Sequence, residues 1–319
     1  MRERLAGWHR PLLVLTAASV LVGVVCLGGL AFDDRVLTGA PIWMKPFKFS
    51  VSIAIYSFTI AWMLTLLRFR RTAWWLGTIV SVMLGGELVL IVLQVIRGTT
   101  SHFNYATPFD ATIFTAMAGM IVTLWVANLA IGVLLLFQRL DDRSLAWSLR
   151  LGTLVALVGM AVAFFMPQPT PEQEAAFDNG GSSDIVGAHS VGVPDGGPGL
   201  PIVGWSTVGG DLRVAHFLGI HALQAIPLLA FALILLMPRF RVLASQAVRT
   251  GLVVVAGLAY LGLVVISAWQ ALRGQSVIHP DGLTLGAVGI LVAAVAASTL
   301  AILTVGARQS HRQEKEKVA

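Results

Sequence analysis

The residue of greatest chemical interest in this sequence is Glu87, a carboxylic acid inside a long apolar run. A carboxylate deep in a bilayer is costly unless it is protonated, paired or hydrated, and such acids are usually functional. Gln94 and Arg97 follow at spacings of seven and three residues, which places the three side chains along one helical face. We therefore predict a polar face on which Glu87 exchanges a proton. The alternative is structural, with Glu87 bonded to a helix backbone or to Ser81 and only fixing the packing.

Histidine is a suitable proton partner for such an acid, and another apolar run carries His216 and His221. Counted along ideal helices, Glu87 and His221 are both expected at depths of about 13 to 15 Å. We therefore predict Glu87 and His221 as a catalytic pair that relays a proton. His216 and His221 are separated by about 140° around a helix, so we do not expect them to bind one metal ion together. A hydrogen-bonded structural role is the alternative for each histidine.

A short motif, Gln-x-x-Arg-Gly, occurs twice, at 94–98 and at 270–274. Each copy ends an apolar run, where its glycine suits a helix stop. Arg-Phe-Arg also occurs twice, at 68–70 and at 239–241. These echoes predict an internal duplication.

The candidate binding residues lie at or near the same ends of the predicted helices. They are His216, His221, His279, His102, Gln94, Arg97, Gln270, Arg273, Lys48 and Arg213. The cations among them, together with Lys45, are suited to propionates, phosphate or a carboxylated substrate, although attraction to lipid phosphates explains them equally well. His189 and Asp195 are further metal-donor candidates, and no metal site is assigned beyond them.

These residues require a membrane-spanning framework. Only 12% of the residues are charged and 56% are hydrophobic, with the charges gathered between apolar stretches. Because about 20 apolar residues span the hydrocarbon layer as a helix, the sequence predicts an all-α, polytopic integral membrane protein with eight transmembrane helices. The spans are expected at 11–31, 47–67, 74–96, 110–138, 146–166, 213–237, 249–272 and 283–305.

The basic residues predict the orientation of these spans. Sixteen Lys and Arg fall on the side of both termini and six on the other side, so the termini are expected to be cytoplasmic. The duplication then predicts two parallel four-helix halves, 1–145 and 146–319. The second half includes a Gly/Pro-rich external loop at 167–212, whose first part we expect to be mobile. We expect its second part to cover the bundle mouth, and a flexible connector is the alternative.

Several function classes are disfavoured. The single cysteine, Cys26, excludes an internal disulfide and a cysteine-based zinc site. The dispersed basic residues argue against nucleic-acid binding, and no phosphate loop or dinucleotide fingerprint is present.

The predicted layout of eight spans, two four-helix halves and outer-side histidines resembles heme A synthase, a heme-modifying membrane enzyme. That resemblance covers the topology and implies heme ligation by outward histidines near an intramembrane Glu. The sequence departs from it because only span six carries histidines and paired external cysteines are absent. The stretches 43–48, 97–104 and 216–224 look more like an uncharacterised bacterial multi-pass family, which implies the bacterial cytoplasmic membrane.

Three hypotheses for function follow. The first is a heme-binding or redox membrane protein, whose axial ligands are drawn from His216, His221, His279, His102 and Met120. The second is a proton-coupled transporter that uses Glu87. The third is a non-catalytic scaffold or assembly subunit whose loop docks an extracytoplasmic partner. All three share the lipid bilayer as their environment.

Overall fold

The chain is all-helical apart from two small β-hairpins. The computed structural model describes the backbone of residues 7–318 and the side chains of residues 7–309. Within that part, eight helices are long and apolar enough to cross a membrane, which confirms the predicted all-α framework of eight spans. The terminal basic residues used to predict orientation lie outside the described side chains: Arg2, Arg4, Arg312, Lys315 and Lys317.

The eight candidate spans are joined by short links, with one long exception. The helices are α1 (Arg10–Phe32), α2 (Met44–Thr65), α3 (Arg70–Arg97), α4 (Pro108–Phe137), α5 (Arg143–Val162), α6 (Pro171–Asp178), α7 (Leu212–Leu235), α8 (Gln246–Leu272) and α9 (Gly282–Val318). The strands are β1 (Val36–Leu37), β2 (Ala40–Pro41), β3 (Ser190–Val191) and β4 (Gly210–Asp211). β1 pairs antiparallel with β2, and β3 pairs antiparallel with β4.

The helices of the two halves pack in the same order. In the first half α1, α2 and α3 contact one another and α4 packs on α3; in the second half α5, α7 and α8 contact one another and α9 packs on α8. The halves meet where α4 contacts α5, with a smaller contact between α2 and α7. The packing order of α1, α2, α3 and α4 thus recurs in α5, α7, α8 and α9.

Small residues allow the closest helix pairs to approach. A Cβ built on Gly159 in α5 would collide with the backbone of Gly219 in α7, so both positions need the missing side chain. In the first half, Gly23 in α1 similarly faces the Ser50 side chain in α2. Such contacts are typical of helix packing in membranes, where close backbone approach replaces the hydrophobic driving force.

The long link between α5 and α7 folds back over one end of the bundle. We call residues 166–211 the cap. It is anchored to the α3–α4 link by a β-bridge between Asn104 and Ile185 and by a hydrogen bond from Val186 N to Phe103 O of 2.9 Å. The first part of the cap forms α6, and Thr170 caps the start of this helix with a capping box. Its expected mobility stays a prediction.

The second part of the cap reaches the link between α1 and α2. Gly196 lies against the β1–β2 turn so closely that a Cβ on Gly39 would collide with the Gly196 carbonyl. Gly39 and Gly196 have φ of 71° and 90°, a region that favours glycine, so the contact depends on glycine at both positions. The cap therefore belongs to the second half in sequence but covers the mouth of the first half.

Candidate functional site

The Gln-x-x-Arg-Gly motif forms a helix-ending corner in each half. In the first copy the Gln94 side chain donates to Thr100 O at 3.3 Å and to Asp110 Oδ1 at 2.8 Å. Arg97 forms an ion pair with the same Asp110. Gly98 ends α3 with a φ of 74°, as the motif predicted.

The second copy repeats this geometry. The Gln270 side chain donates to Ser276 O at 2.8 Å, at the same offset of six residues, and Arg273 forms an ion pair with Asp281. Gly274 has a φ of 71°. In each half the motif thus joins the end of one helix to the start of the next.

The four motif residues predicted to bind a ligand, Gln94, Arg97, Gln270 and Arg273, therefore hold the protein itself together. None of them lines the cavity described below. The carboxylates that complete the corners, Asp110 and Asp281, were not predicted. The Thr-Pro pair before Asp110 was an available signal, because Thr followed by Pro marks a helix start with an acid favoured in its first turn.

Glu87 is buried, with only 1% of its surface exposed. Neither carboxylate oxygen has a hydrogen-bond partner among the described residues. The alternative bond to Ser81 is not formed, since the Ser81 hydroxyl donates to Pro11 O at 3.1 Å. The alternative role of Glu87, which assumed a hydrogen bond to a helix backbone or to Ser81, therefore lacks that bond in the structure.

The predicted partner of Glu87 also lies elsewhere. His221 Nδ1 is 3.3 Å from Gln224 Oε1, and its Nε2, like the Glu87 oxygens, has no partner in the described chain. A direct Glu87–His221 hydrogen bond is thus absent from this structure. The two residues were matched by depth, but α3 and α7 belong to different three-helix bundles, and depth alone does not bring them together.

A cavity that is partly open to the surface lies between the cap and the first half. The cavity has a volume of about 480 Å³ and is bounded by the β1–β2 hairpin, the start of α2, the end of α3, the α3–α4 link and the cap. Its charged lining residues, within the described chain, are Lys45, Lys48, Arg213 and Asp195. The cavity wall therefore carries three cations and one carboxylate.

The three cations differ in how far the protein neutralises them. Arg213 forms an ion pair with the buried Asp211 and donates to Gly204 O at 2.6 Å. Lys48 donates to Val203 O at 3.0 Å. Lys45 has neither a hydrogen bond nor an ion pair among the described residues, so its amino group is available to a ligand.

The start of α2 adds to this positive region. Its N-cap residue, Trp43, makes no side-chain capping bond, and the first turn contains no acidic residue. Lys45 lies in that first turn, although the positive end of a helix dipole favours anions and disfavours cations. An anion in the cavity would offset both charges.

The cavity also contains a fixed histidine. His189 Nδ1 is 2.6 Å from Asp195 Oδ2, and Asp195 accepts further bonds from the backbone amides of His189 and Ser190. Burial lowers the pKa of His189, although Asp195 opposes the shift. Burial would raise the pKa of Asp195, but its bonds to His189 hold it below the usual range. Asp195 therefore stays ionised and fixes the ring orientation.

The remaining histidines are dispersed. His102 lines the cavity, and burial together with the charge of Lys45 holds its pKa well below the usual range. His216 bonds to Gly159 O at 2.9 Å, whereas His279 is exposed, and neither lines the cavity. Within the described residues no three His, Cys, Asp or Glu side chains are placed to hold a metal ion.

Sequence reasoning missed two parts of this site. It gave no role to the β1–β2 hairpin, although Thr38-Gly39 was a recognisable turn signal. It also treated Lys45 as one of several equivalent cations, because a sequence does not reveal which cations are already neutralised by protein groups.

Comparison with known proteins identifies no relative of this chain. No family model matches the chain, no curated protein matches it, and no solved structure matches it. The function must therefore be argued from the cavity itself.

Proposed function

We propose that this integral membrane protein binds an anionic small molecule in the cavity beneath the cap. The observation that carries the proposal is the Lys45 amino group, which lines the cavity without a hydrogen-bond or ion-pair partner in the described chain. Lys48 and Arg213 surround the same space. The one carboxylate in the lining, Asp195, is already occupied by three hydrogen bonds.

Electrostatics favours an anion over a neutral or cationic ligand. Like charges close together repel one another, and the positive end of the α2 dipole adds to the positive potential. A bound anion relieves this repulsion and accepts charge-assisted hydrogen bonds. A cation would increase the repulsion.

Replacement of Lys45 tests this function directly. We expect the purified protein to bind octanoate or inorganic phosphate by calorimetry, and the Lys45→Met variant to bind at least tenfold more weakly, since one charge-assisted bond is worth about 1.5 to 3 kcal/mol. Arg68→Met is the matched control, because it removes an exposed cation beyond the other end of α2. Equal affinity in wild type and Lys45→Met would refute the site, as would preferential binding of octyltrimethylammonium.

Heme remains one specific ligand of this class. Its propionates suit the three cations, and His102 is the predicted axial ligand that lines the cavity. The other predicted ligands, His216, His221, His279 and Met120, do not line it. An absorption spectrum of protein expressed with ample heme tests this prediction, and a colourless protein would end it.

Proton-coupled transport is the second candidate, and the unpartnered Glu87 favours it. A buried acid without a hydrogen bond is poorly explained as a structural element, whereas a coupling group must change its protonation. Proton-dependent uptake in proteoliposomes tests this role, and equal flux with Glu87→Gln would exclude it. The scaffold role also stays a prediction, which co-purification of a stable partner from membranes would favour.

We further infer that the cap faces the outside of a bacterial cytoplasmic membrane. The six basic residues on the cap side are outnumbered by sixteen on the other, as the positive-inside rule requires. The equivalent packing and the two equivalent corners support a duplicated origin of the halves, 1–145 and 146–319.

A further inference from the structure

We propose that the cavity beneath the cap selects hydrogen phosphate, an anion that still carries a hydroxyl group at neutral pH, and that Nε2 of His189 accepts the hydrogen bond from this hydroxyl. The inference rests on the proposed anion site and names the ligand of that site. It also gives the His189–Asp195 pair a role in ligand selection.

Asp195 determines which ring nitrogen of His189 carries the proton. Its oxygens accept hydrogen bonds from the backbone amides of His189 and Ser190 at 3.0 and 2.8 Å, and Oδ2 also lies 2.6 Å from His189 Nδ1. A carboxyl group that accepts from this many donors is held in its ionised form, which has no proton to donate. Nδ1 must therefore carry the proton and donate it to Asp195.

Nε2 of His189 is then left as a hydrogen-bond acceptor, because a neutral imidazole has a proton on only one nitrogen. Burial lowers the pKa of His189, which favours the neutral ring. The side chain is 22% exposed, and its Nε2 is not sealed off in the way that the unpartnered Nε2 of His221 is. Since His189 lines the cavity, a group bound there can reach this nitrogen.

Main-chain pairing places Arg213 beside this acceptor. β3 pairs with β4 so that Ser190 lies opposite Asp211, and His189 O accepts a 3.0 Å hydrogen bond from Leu212 N. Arg213 is the next residue along the chain and lines the same cavity. One part of the wall therefore carries both a cation and a fixed acceptor.

The other two cations extend this part of the wall. Lys48 Nζ donates to Val203 O at 3.0 Å, and Arg213 Nη2 donates to the next carbonyl oxygen along the chain at 2.6 Å. A protonated lysine has three N–H donors and a guanidinium has five, so Lys48 Nζ and Arg213 Nη1 both keep N–H groups unused by the described chain. Lys45 lies one turn before Lys48 on the same face of α2.

Hydrogen phosphate matches this set of donors with a single acceptor. Its unprotonated oxygens accept hydrogen bonds from the cations, while its hydroxyl donates to His189 Nε2. Sulfate has the same tetrahedral shape but no proton at neutral pH, so its oxygen would face the lone pair of Nε2 without a hydrogen bond. The cations attract both anions, and the acceptor distinguishes them.

Competition against radiolabelled phosphate tests this selection on the purified protein at pH 7.5. We expect sulfate to compete at least about tenfold more weakly than phosphate, because it leaves the acceptor unsatisfied. Methyl phosphate should also compete more weakly, since a phosphate monoester has a second pKa of about 6 and has mostly lost its hydroxyl proton at this pH. Free phosphate is thereby separated from the phosphate group of a larger molecule, and tighter binding of methyl phosphate or sulfate would contradict the proposal.

Replacement of His189 assigns the selection to its ring nitrogen. His189→Phe removes the acceptor but can keep the ring contact with Phe103, whose ring centroid lies 4.9 Å from that of His189. This variant should lose the preference for phosphate over sulfate, chiefly through weaker binding of phosphate. His279→Phe is the matched control, because His279 is exposed and lies outside the cavity, and it should retain the preference.

The selection and the anion site fail in distinguishable ways. Equal Lys45-dependent binding of phosphate and sulfate, or a preference preserved in His189→Phe, would overturn the selection and leave the anion site intact. Absence of Lys45-dependent binding of either anion would overturn both. If His189→Phe does not fold, nitrogen NMR of the wild type decides the question: we expect a proton on Nδ1 and a shift of Nε2 with phosphate but not with sulfate. A proton on Nε2, or no such shift, would overturn the selection.

Discussion

The His189–Asp195 pair is the point at which the cap is held in one conformation. Asp195 accepts three hydrogen bonds from two consecutive residues, and His189 O in turn accepts a 3.0 Å bond from Leu212 N at the start of α7. An ionised acceptor strengthens each bond. The pair therefore links the wall of the cavity to the first turn of a transmembrane helix.

The pH dependence of the cap follows from two half-buried histidines, His189 within the cap and His102 in the α3–α4 link beside it. Burial lowers the pKa of His102 and of His189 in the folded protein, while in the unfolded chain each has a pKa of about 6.5. Below pH 6.5 the unfolded state therefore binds more protons than the folded state. Stability contributed by the two residues is full above that pH and declines as pH falls toward their folded pKa values.

We therefore expect the cap to loosen between pH 7.5 and pH 5. Hydrogen exchange at the amides of β3 and β4 should accelerate over this range, and His102→Gln should reduce the acceleration. His279→Gln is the matched control, since His279 is exposed and outside the cavity. Exchange rates in β3 and β4 that change only with the intrinsic pH dependence of the chemistry would contradict this prediction.

At the scale of elements, the closest helix pair is the contact of α5 with α7. Gly159→Ala places a methyl group into the backbone of Gly219 and must separate the two helices. We expect a loss of about 1 to 3 kcal/mol, the usual cost of overpacking. Unfolding in mixed micelles with increasing SDS fraction measures it.

A matched glycine in α4 provides the comparison. A Cβ on Gly119 would meet no neighbouring atom. Gly119→Ala should therefore leave stability unchanged or raise it by up to about 1 kcal/mol, since alanine favours the helix. Equal destabilisation by both substitutions would contradict the prediction, because a methyl group at Gly119 meets no neighbour and the loss at Gly159 could not then be assigned to the α5–α7 contact.

The helices were predictable from sequence because their lengths and apolar content are set locally by the bilayer. The cap was less predictable from sequence, because it depends on contacts between remote segments, such as Asn104 with Ile185 and Gly39 with Gly196.

The candidate site was also predictable only in part. Glu87 and the cations were recognisable by residue type. The predicted pairing of Glu87 with His221 rested on equal depth alone, and depth does not determine where two helices lie in the plane of the membrane. The packing of α2 against α3 places Lys45 and Ile91 on the wall of one cavity, and no local pattern encodes that contact.

At the scale of the whole molecule, the two halves have the same order of helix packing but contribute different residues to the cavity. Both use the same order of packing and the same Gln-x-x-Arg-Gly corner. Only the first half carries Glu87 and the cavity floor, and only the second half carries the cap that closes it. Residues of both halves therefore line the cavity, so its shape depends on the contacts of the cap with the first half.

The orientation of the cap decides from which side a ligand reaches this cavity. Ser182 in the cap and Thr72 at the start of α3 are both exposed, at opposite ends of the bundle, whereas the single native cysteine, Cys26, is buried. With the cap outside, a membrane-impermeant maleimide should label Ser182→Cys in intact bacterial spheroplasts, and Thr72→Cys only after permeabilisation. Cys26 should remain unlabelled in the unmodified protein, which provides the background. Labelling of Thr72→Cys but not Ser182→Cys in intact cells would place the cap and the anion site in the cytoplasm, against the bias of sixteen basic residues to six.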